Sequence, residues 1–194
     1  MKYFELILLD NKNVINKEIP EEICNKLRAS YYFMSSLLGK YNNVTMHFPG
    51  GCSIGARPID QTLKGYRALG AKVKEDGNKF TITASELKGN NVYLDMASVG
   101  ATVNTMLVSV KAKGITIIEN AAKEPEIVNI ATFLNNMGAK IKGAGTSKIT
   151  ITGVDTLGDG YIEIIPDRIE AGTYIVAGAL VGNHLKIDNI LVLK

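Results

Sequence analysis

Cys52 and Arg57 are the two residues whose types and spacing are best suited to joint chemistry. A thiol can act as a nucleophile or, with its pKa tuned near neutrality, as a proton donor. A guanidinium five residues later can grip an anionic substrate. Both lie in Pro49-Gly50-Gly51-Cys52-Ser53-Ile54-Gly55-Ala56-Arg57-Pro58, where two adjacent glycines let the backbone turn sharply. A plainer reading stays open on spacing alone. Stretches rich in Gly and Pro are usually turns, and a lone cysteine is usually a small buried hydrophobe. A cation beside a helix N-terminus favours a thiolate or a bound anion.

The flanking elements would have to present this loop. The alternation at 44–48 predicts a strand leading into it. Pro58 is expected in the first turn of a helix over 58–69, with Ile59, Leu63, Tyr66 and Leu69 on one face and Gly70 as the stop. Upstream, 3–9 reads as a strand followed by a turn at Asp10-Asn11-Lys12-Asn13. Pro20-Glu21-Glu22 opens a short polar helix or turn toward Arg28, and 29–41 reads as a helix. Downstream, 72–74 and 79–83 flank Glu75-Asp76-Gly77-Asn78 as a hairpin.

The same order then returns. A helix is expected over 101–110, a strand over 115–118, a loop over 121–125 and an amphipathic helix from Pro125 to Gly138. A hairpin follows at 140–142 and 148–152, then a helix from Asp167-Arg168 to Gly182 and a strand over 185–190. Gly70-Ala71-Lys72-Val73 against Gly138-Ala139-Lys140-Ile141 sets a period of about 70 residues. Arg28, Ser98 and Asp167 each precede a helix at nearly that interval. Cys52, the Gly50-Gly51 pair and Arg57 have no counterpart in the second round, where Glu124 stands in place of Arg57. What one unit has and the other lacks is the better candidate for function. The helices at 101–110 and 171–181 mix small residues with Val, Ile and Leu, which predicts buried helices with sheets outside them.

Composition bounds the rest. A chain of 194 residues can fold as one domain or two small ones, and 46% hydrophobic with 21% charged is ordinary for a soluble globular protein. A net charge of +3 with scattered lysines is too weak to argue for nucleic acid, and no nucleic-acid partner is expected. Cys24 and Cys52 do not make a disulfide framework, and no His/Cys cluster has metal spacing, so no metal is expected. Residues 1–9 do not read as a secretory signal, and the apolar run at 171–181 is too short to span a bilayer. The expected compartment is the cytoplasm, with no membrane partner.

Several segments together resemble a known family. Arg28-Ala29-Ser30, the stretch from Pro49 to Asp60, Ser98-Val99-Gly100-Ala101-Thr102, Glu119-Asn120-Ala121-Ala122-Lys123-Glu124-Pro125-Glu126 and Pro166-Asp167-Arg168-Ile169-Glu170-Ala171-Gly172-Thr173 closely resemble the UDP-N-acetylglucosamine enolpyruvyl transferases (1-carboxyvinyltransferases). The resemblance covers nearly the whole chain from about Pro20. It implies an inside-out α/β barrel of repeated βαβαββ units with buried helices, here incomplete. Residues 1–166 would be most of the catalytic domain, entered partway, and 167–194 the start of the second domain. The family's early Lys-Asn pair would precede Met1. Asn11-Lys12-Asn13 is only an echo of it, and the base-supplying Asp and later arginines of the second domain are absent.

The activity implied is transfer of the enolpyruvyl group of phosphoenolpyruvate to the 3′-hydroxyl of UDP-N-acetylglucosamine, releasing phosphate. That is the first committed step of peptidoglycan synthesis, and it uses no cofactor. By resemblance Cys52 is the catalytic acid and the residue alkylated by fosfomycin. Arg28 and Arg57 bind anions. Arg57, Pro58, Ile59, Asp60 and Gln61 line the uridine side, with Asp60 accepting from the uracil. Ser98, Val99 and Gly100 sit near the diphosphate. Plainer roles exist for some of these, a surface cation for Arg28 and a helix cap for Ser98. Asp167-Arg168 is expected to be a structural ion pair.

Thr62 and Met96 depart from many relatives, and the second would adjoin the nucleotide. The partner implied besides the substrates is the remainder of the enzyme, in the same polypeptide or a separate chain. Because catalysis needs groups from both domains to close together, the chain alone is expected to be inactive. Two alternatives follow: a non-catalytic fragment or pseudo-enzyme that binds the nucleotide sugar, and a shikimate-pathway enolpyruvyl transferase. Cys52 and Pro58-Ile59-Asp60 argue against the last.

Overall fold

Two successive βαβαββ-type units organise the chain, and their sheets are paired in the same register. The structure, a computed structural model, describes residues 6–51, 57–182 and 184–190. The first unit holds α1 (Glu21–Lys26), a 3-10 turn (Arg28–Tyr31), α2 (Tyr32–Tyr41), β1 (Asn43–His47), α3 (Asp60–Ala68), β2 (Lys72–Asp76) and β3 (Lys79–Thr83). The second holds β4 (Asn91–Tyr93), α4 (Val99–Ser109), β5 (Ile115–Glu119), α5 (Pro125–Asn136), β6 (Lys140–Lys142) and β7 (Lys148–Thr152). A final helix, α6, spans Arg168–Val181.

The sheet orders are β1-β3-β2 and β4-β5-β7-β6. In the first sheet Asn43 and Lys72 both face Thr83, and in the second Ile115 and Lys140 both face Thr152. β4 runs parallel to β5; its counterpart in the first unit is Ile19, which bridges Met46 in parallel. The repeat read from the sequence therefore extends to strand pairing. Each sheet alternates buried and open positions, as in β1 and β7, so one face of each packs on helices. The fold is mixed α/β, and neither sheet closes on itself among the described residues.

α4 lies at the centre, packed against α2, α3 and α5. Its residues Ala101, Thr102, Val103, Asn104, Thr105, Met106, Val108 and Ser109 are all buried. Gly65 of α3 makes the close approach possible, because a Cβ there would stand 2.4 Å from Thr105 Oγ1. The expectation of a buried helix at 101–110 holds.

Four expectations do not. The apolar pattern of α6 predicts burial, but among its residues only Ala171 is buried, and Tyr174, Ile175, Val176, Leu180 and Val181 are exposed. An apolar helical pattern states what a face requires, not that a covering surface is present. Of the strand expected at 3–9, residues 6–9 are described, and they are unpaired and exposed. Likewise 185–190 joins no sheet. A strand exists only where another edge takes its hydrogen bonds, and neither segment has one among the described residues. Finally, Asp167 and Arg168 do not pair with each other. Asp167 caps α6 by accepting from the Ile169 and Glu170 amides, while Arg168 makes a two-point ion pair with Glu126 on α5 (Nε–Oε2 3.1 Å, Nη2–Oε1 2.8 Å).

Candidate active site

The chain leaves β1 and runs along the end of α1, where Gly50 and Gly51 donate backbone hydrogen bonds to the carbonyls of Cys24 and Asn25, each at 2.9 Å. A Cβ on Gly50 would stand 2.2 Å from the Asn25 carbonyl oxygen, and Gly51 adopts φ +101°. The glycine pair is thus required by close backbone approach as well as by turning. Cys52 lies outside the described residues, as do Ser53 to Ala56.

Arg28 ties the two stems of this loop. Its Nη1 donates to the Pro49 carbonyl at 2.8 Å and its Nη2 to the Arg57 carbonyl at 2.6 Å. Held this way, residues 57 and 58 stay outside the helix, and α3 starts at Asp60 with Ile59 as its N-cap. The expected placement of Pro58 in the first helical turn is corrected accordingly. Pro125 does occupy that place in α5.

A cleft of about 500 Å³ opens beside these stems. Arg28, Arg57 and Pro58 form one side, and Ser98, Val99 and Gly100, at the start of α4, form the other. Ala29, Tyr31 and Tyr32 complete it. Ser98 caps α4, its Oγ accepting from the Ala101 amide at 3.3 Å. The first turn of α4 presents its positive end to the cleft beside two guanidinium groups. Burial, and then the charge of Arg57, lower the pKa of Arg28. A bound anion would relieve that repulsion between like charges.

The residues expected on the uridine side divide. Ile59 is buried and Asp60 is exposed at the start of α3. Gln61 is not among the residues that line the cleft; it donates to Asp60 Oδ2 (2.9 Å) and Asp95 Oδ2 (3.1 Å) and accepts from the Asp95 amide (2.9 Å). Thr62 is buried, and Met96 is 61% exposed and no part of the lining.

Sequence reasoning overlooked the tyrosines and a buried polar network behind them. Ser35 Oγ donates to Asn104 Oδ1 at 2.6 Å and lies 2.6 Å from the Tyr66 hydroxyl, while Asn104 Nδ2 donates to the Gly100 carbonyl at 3.0 Å. α2, α3 and α4 are thereby joined directly behind the cleft. Burial pushes the Tyr66 hydroxyl's pKa far up, so it stays protonated. Burial also raises Tyr31, against hydrogen bonding from Thr62 and Asn104. The adjacent pair Tyr31-Tyr32, immediately after Arg28-Ala29-Ser30, was the one available signal.

The arrangement suits a ligand with several anionic groups, held between guanidinium groups and a helix N-terminus. No helix among the described residues is long and apolar enough to cross a membrane.

Comparison with known proteins shows the family. The family model described as EPSP synthase (3-phosphoshikimate 1-carboxyvinyltransferase) matches residues 7–193. A UDP-N-acetylglucosamine 1-carboxyvinyltransferase 2 of Bacillus anthracis is 51% identical over 187 residues, 96% of this chain and 44% of the relative. One of Listeria innocua serovar 6a is 53% identical over 184 residues, 95% of this chain and 44% of the relative. The chain thus spans less than half the length of these relatives. Among solved structures, the enolpyruvyl transferase NikO from Streptomyces tendae superposes with a TM-score of 0.71 at 22% identity, covering 84% of this chain and 39% of that one. EPSP synthase from Acinetobacter baumannii gives 0.57 at 26% identity, covering 78% and 35%.

Proposed function

The chain belongs to the EPSP synthase family of carboxyvinyl transferases, and from that premise we propose that it supplies the nucleotide-sugar-binding and thiol-bearing part of an enolpyruvyl transferase acting on UDP-N-acetylglucosamine. The reaction moves the enolpyruvyl group of phosphoenolpyruvate to the sugar 3′-hydroxyl and releases phosphate, committing the sugar to peptidoglycan in the bacterial cytoplasm. The observation that carries this is the cleft joining Arg28, Arg57 and Pro58 to the Ser98-Val99-Gly100 turn. Kinship at about half identity to enzymes named for that substrate supports it.

Chemically, the sugar oxygen bonds to the central carbon of the enol while the methylene carbon gains a proton, and the hydroxyl proton leaves to a base. The carbon–oxygen bond to phosphate then breaks as the new methyl group returns a proton. A thiol of suitable pKa supplies the first proton, and we assign that role to Cys52. Arg28 and Arg57 hold the anionic groups, and the amides at the start of α4 face the diphosphate. Ile59, Asp60 and Gln61 belong to the uridine side, with Asp60 as acceptor. Residues 1–166 form most of the catalytic domain, and 167–194 begin the second. The complete fold is an inside-out barrel in which further units cover α6. The remainder of the enzyme, on this or another polypeptide, brings the other catalytic groups.

Calorimetry of the purified chain with UDP-N-acetylglucosamine, combined with a phosphate-release assay on both substrates, tests this. Binding without turnover is expected. Fosfomycin should add its mass at Cys52 and not at Cys24, which is buried. Tighter binding of shikimate phosphate than of the nucleotide sugar, or an adduct at Cys24, would overturn the assignment; turnover by the chain alone would overturn the need for a remainder.

A further inference from the structure

We infer that Tyr31 is a positioning residue for anion binding, fixing the Arg28 guanidinium relative to the first turn of α4. The inference rests on the cleft being the nucleotide-sugar site. Tyr31 touches both anion-binding elements at once. The Arg28 guanidinium carbon stands 5.3 Å from its ring centroid. On the other side its hydroxyl packs so tightly on Gly100 that a Cβ there would lie 1.7 Å from the oxygen. Tyr31 is 6% exposed and its ring packs on Tyr32 at 4.8 Å between centroids, so close packing holds it in place.

Arg28 gains a definite orientation from this. An arginine carries five N–H donors in a rigid fork. Two of its terminal nitrogens each donate to a carbonyl, of Pro49 and of Arg57. The guanidinium carbon lies over the Tyr31 ring, and the N–H groups not given to the two carbonyls remain for an incoming anion. The entropy of ordering a long side chain is then lost on folding rather than on binding. A tyrosine serving only as core filler would contact α4 but owe nothing to Arg28.

The test is a double-variant cycle read by the dissociation constants for inorganic pyrophosphate and UDP-N-acetylglucosamine, with the Arg28 Nε–H resonance followed by NMR. Tyr31→Leu should weaken both ligands by about two- to tenfold, the range of a partly desolvated cation–π contact. Tyr31→Phe, which keeps the ring, should bind nearly as the unsubstituted chain does. Adding Tyr31→Leu to Arg28→Gln should cost nothing further, since the platform acts only through that arginine. The Arg28 resonance should be shifted upfield by the ring in the unsubstituted chain and in Tyr31→Phe.

Full additivity, equal losses in Tyr31→Phe and Tyr31→Leu, or an unshifted Arg28 resonance would each overturn the inference. The last measurement needs no variant to fold. If the unsubstituted chain binds pyrophosphate but not UDP-N-acetylglucosamine, the nucleotide-sugar reading fails and pyrophosphate still decides the role of Tyr31. Binding of neither overturns both.

Discussion

Gly65→Ala gives the most quantitative check on how α3 is set against α4. Alanine in a helix interior normally gains about 1 kcal/mol over glycine, so an exposed helix would be stabilised. Here the added Cβ would meet Thr105 Oγ1 at 2.4 Å and Thr105 Cβ and Cγ2 at 3.4 Å each. The oxygen contact is far inside van der Waals separation, and Thr105 is wholly buried and stiff at χ1. Relieving it requires a rotamer change or outward movement of α3, an overpacking cost of about 1–3 kcal/mol. The net result should be a destabilisation of about 1 kcal/mol once the helix-propensity gain is subtracted. Nucleotide-sugar binding should weaken with it, because Arg57 and Pro58 lead directly into α3. In a Thr105→Ala background the offending oxygen is gone, so Gly65→Ala should become neutral or stabilising. Urea unfolding of the four chains measures this sign reversal. A stabilising Gly65→Ala in the otherwise unsubstituted chain would refute the close-approach argument.

Two other substitutions test the loop stem and the last helix. Gly50→Ala should push the stem off Asn25, whose carbonyl oxygen would be 2.2 Å from the new Cβ, costing about 1–3 kcal/mol in unfolding and slowing fosfomycin addition; stability unchanged in urea titration would count against it. Arg168 holds the Glu126 carboxyl below its ordinary pKa, first through their hydrogen bond. A depressed folded-state pKa gives stability that is present above the unfolded value and lost as pH falls through the folded one. Acidification below about pH 4.3 should therefore loosen α6 from α5, as Arg168→Gln should at neutral pH, by less than about 1 kcal/mol for a pair this exposed. Hydrogen exchange along α6 reads both, and protection unaltered by either change would refute the tie.

Patterns that depend on near neighbours were readable from the chain. Lys72–Asp76 and Lys79–Thr83 form the expected hairpin, and Pro125 opens α5 as its fixed φ suggests. β4 escaped notice because three residues, Asn91-Val92-Tyr93, carry almost no alternation, and its partner β5 lies two dozen positions away. Arg28 could be picked out by its motif, but not its grip on the carbonyls of Pro49 and Arg57, which come from the far side of a turn. The Ser35–Tyr66–Asn104 network was invisible for the same reason. Each member is an ordinary polar residue in its own helix, and only the convergence of three helices gives it meaning.

α4 contributes Val108, with Ala112 just beyond it, to the hydrophobic cluster of the first unit, and Ala101, Val103 and Met106, with its C-cap Val110, to that of the second. The duplicated halves are consequently not separable modules. A cut between β3 and β4 would strip the first half of part of its interior and leave the second with a bare helix flank. Duplication here has yielded a single cooperative body, in which damage to either half should be felt by the other.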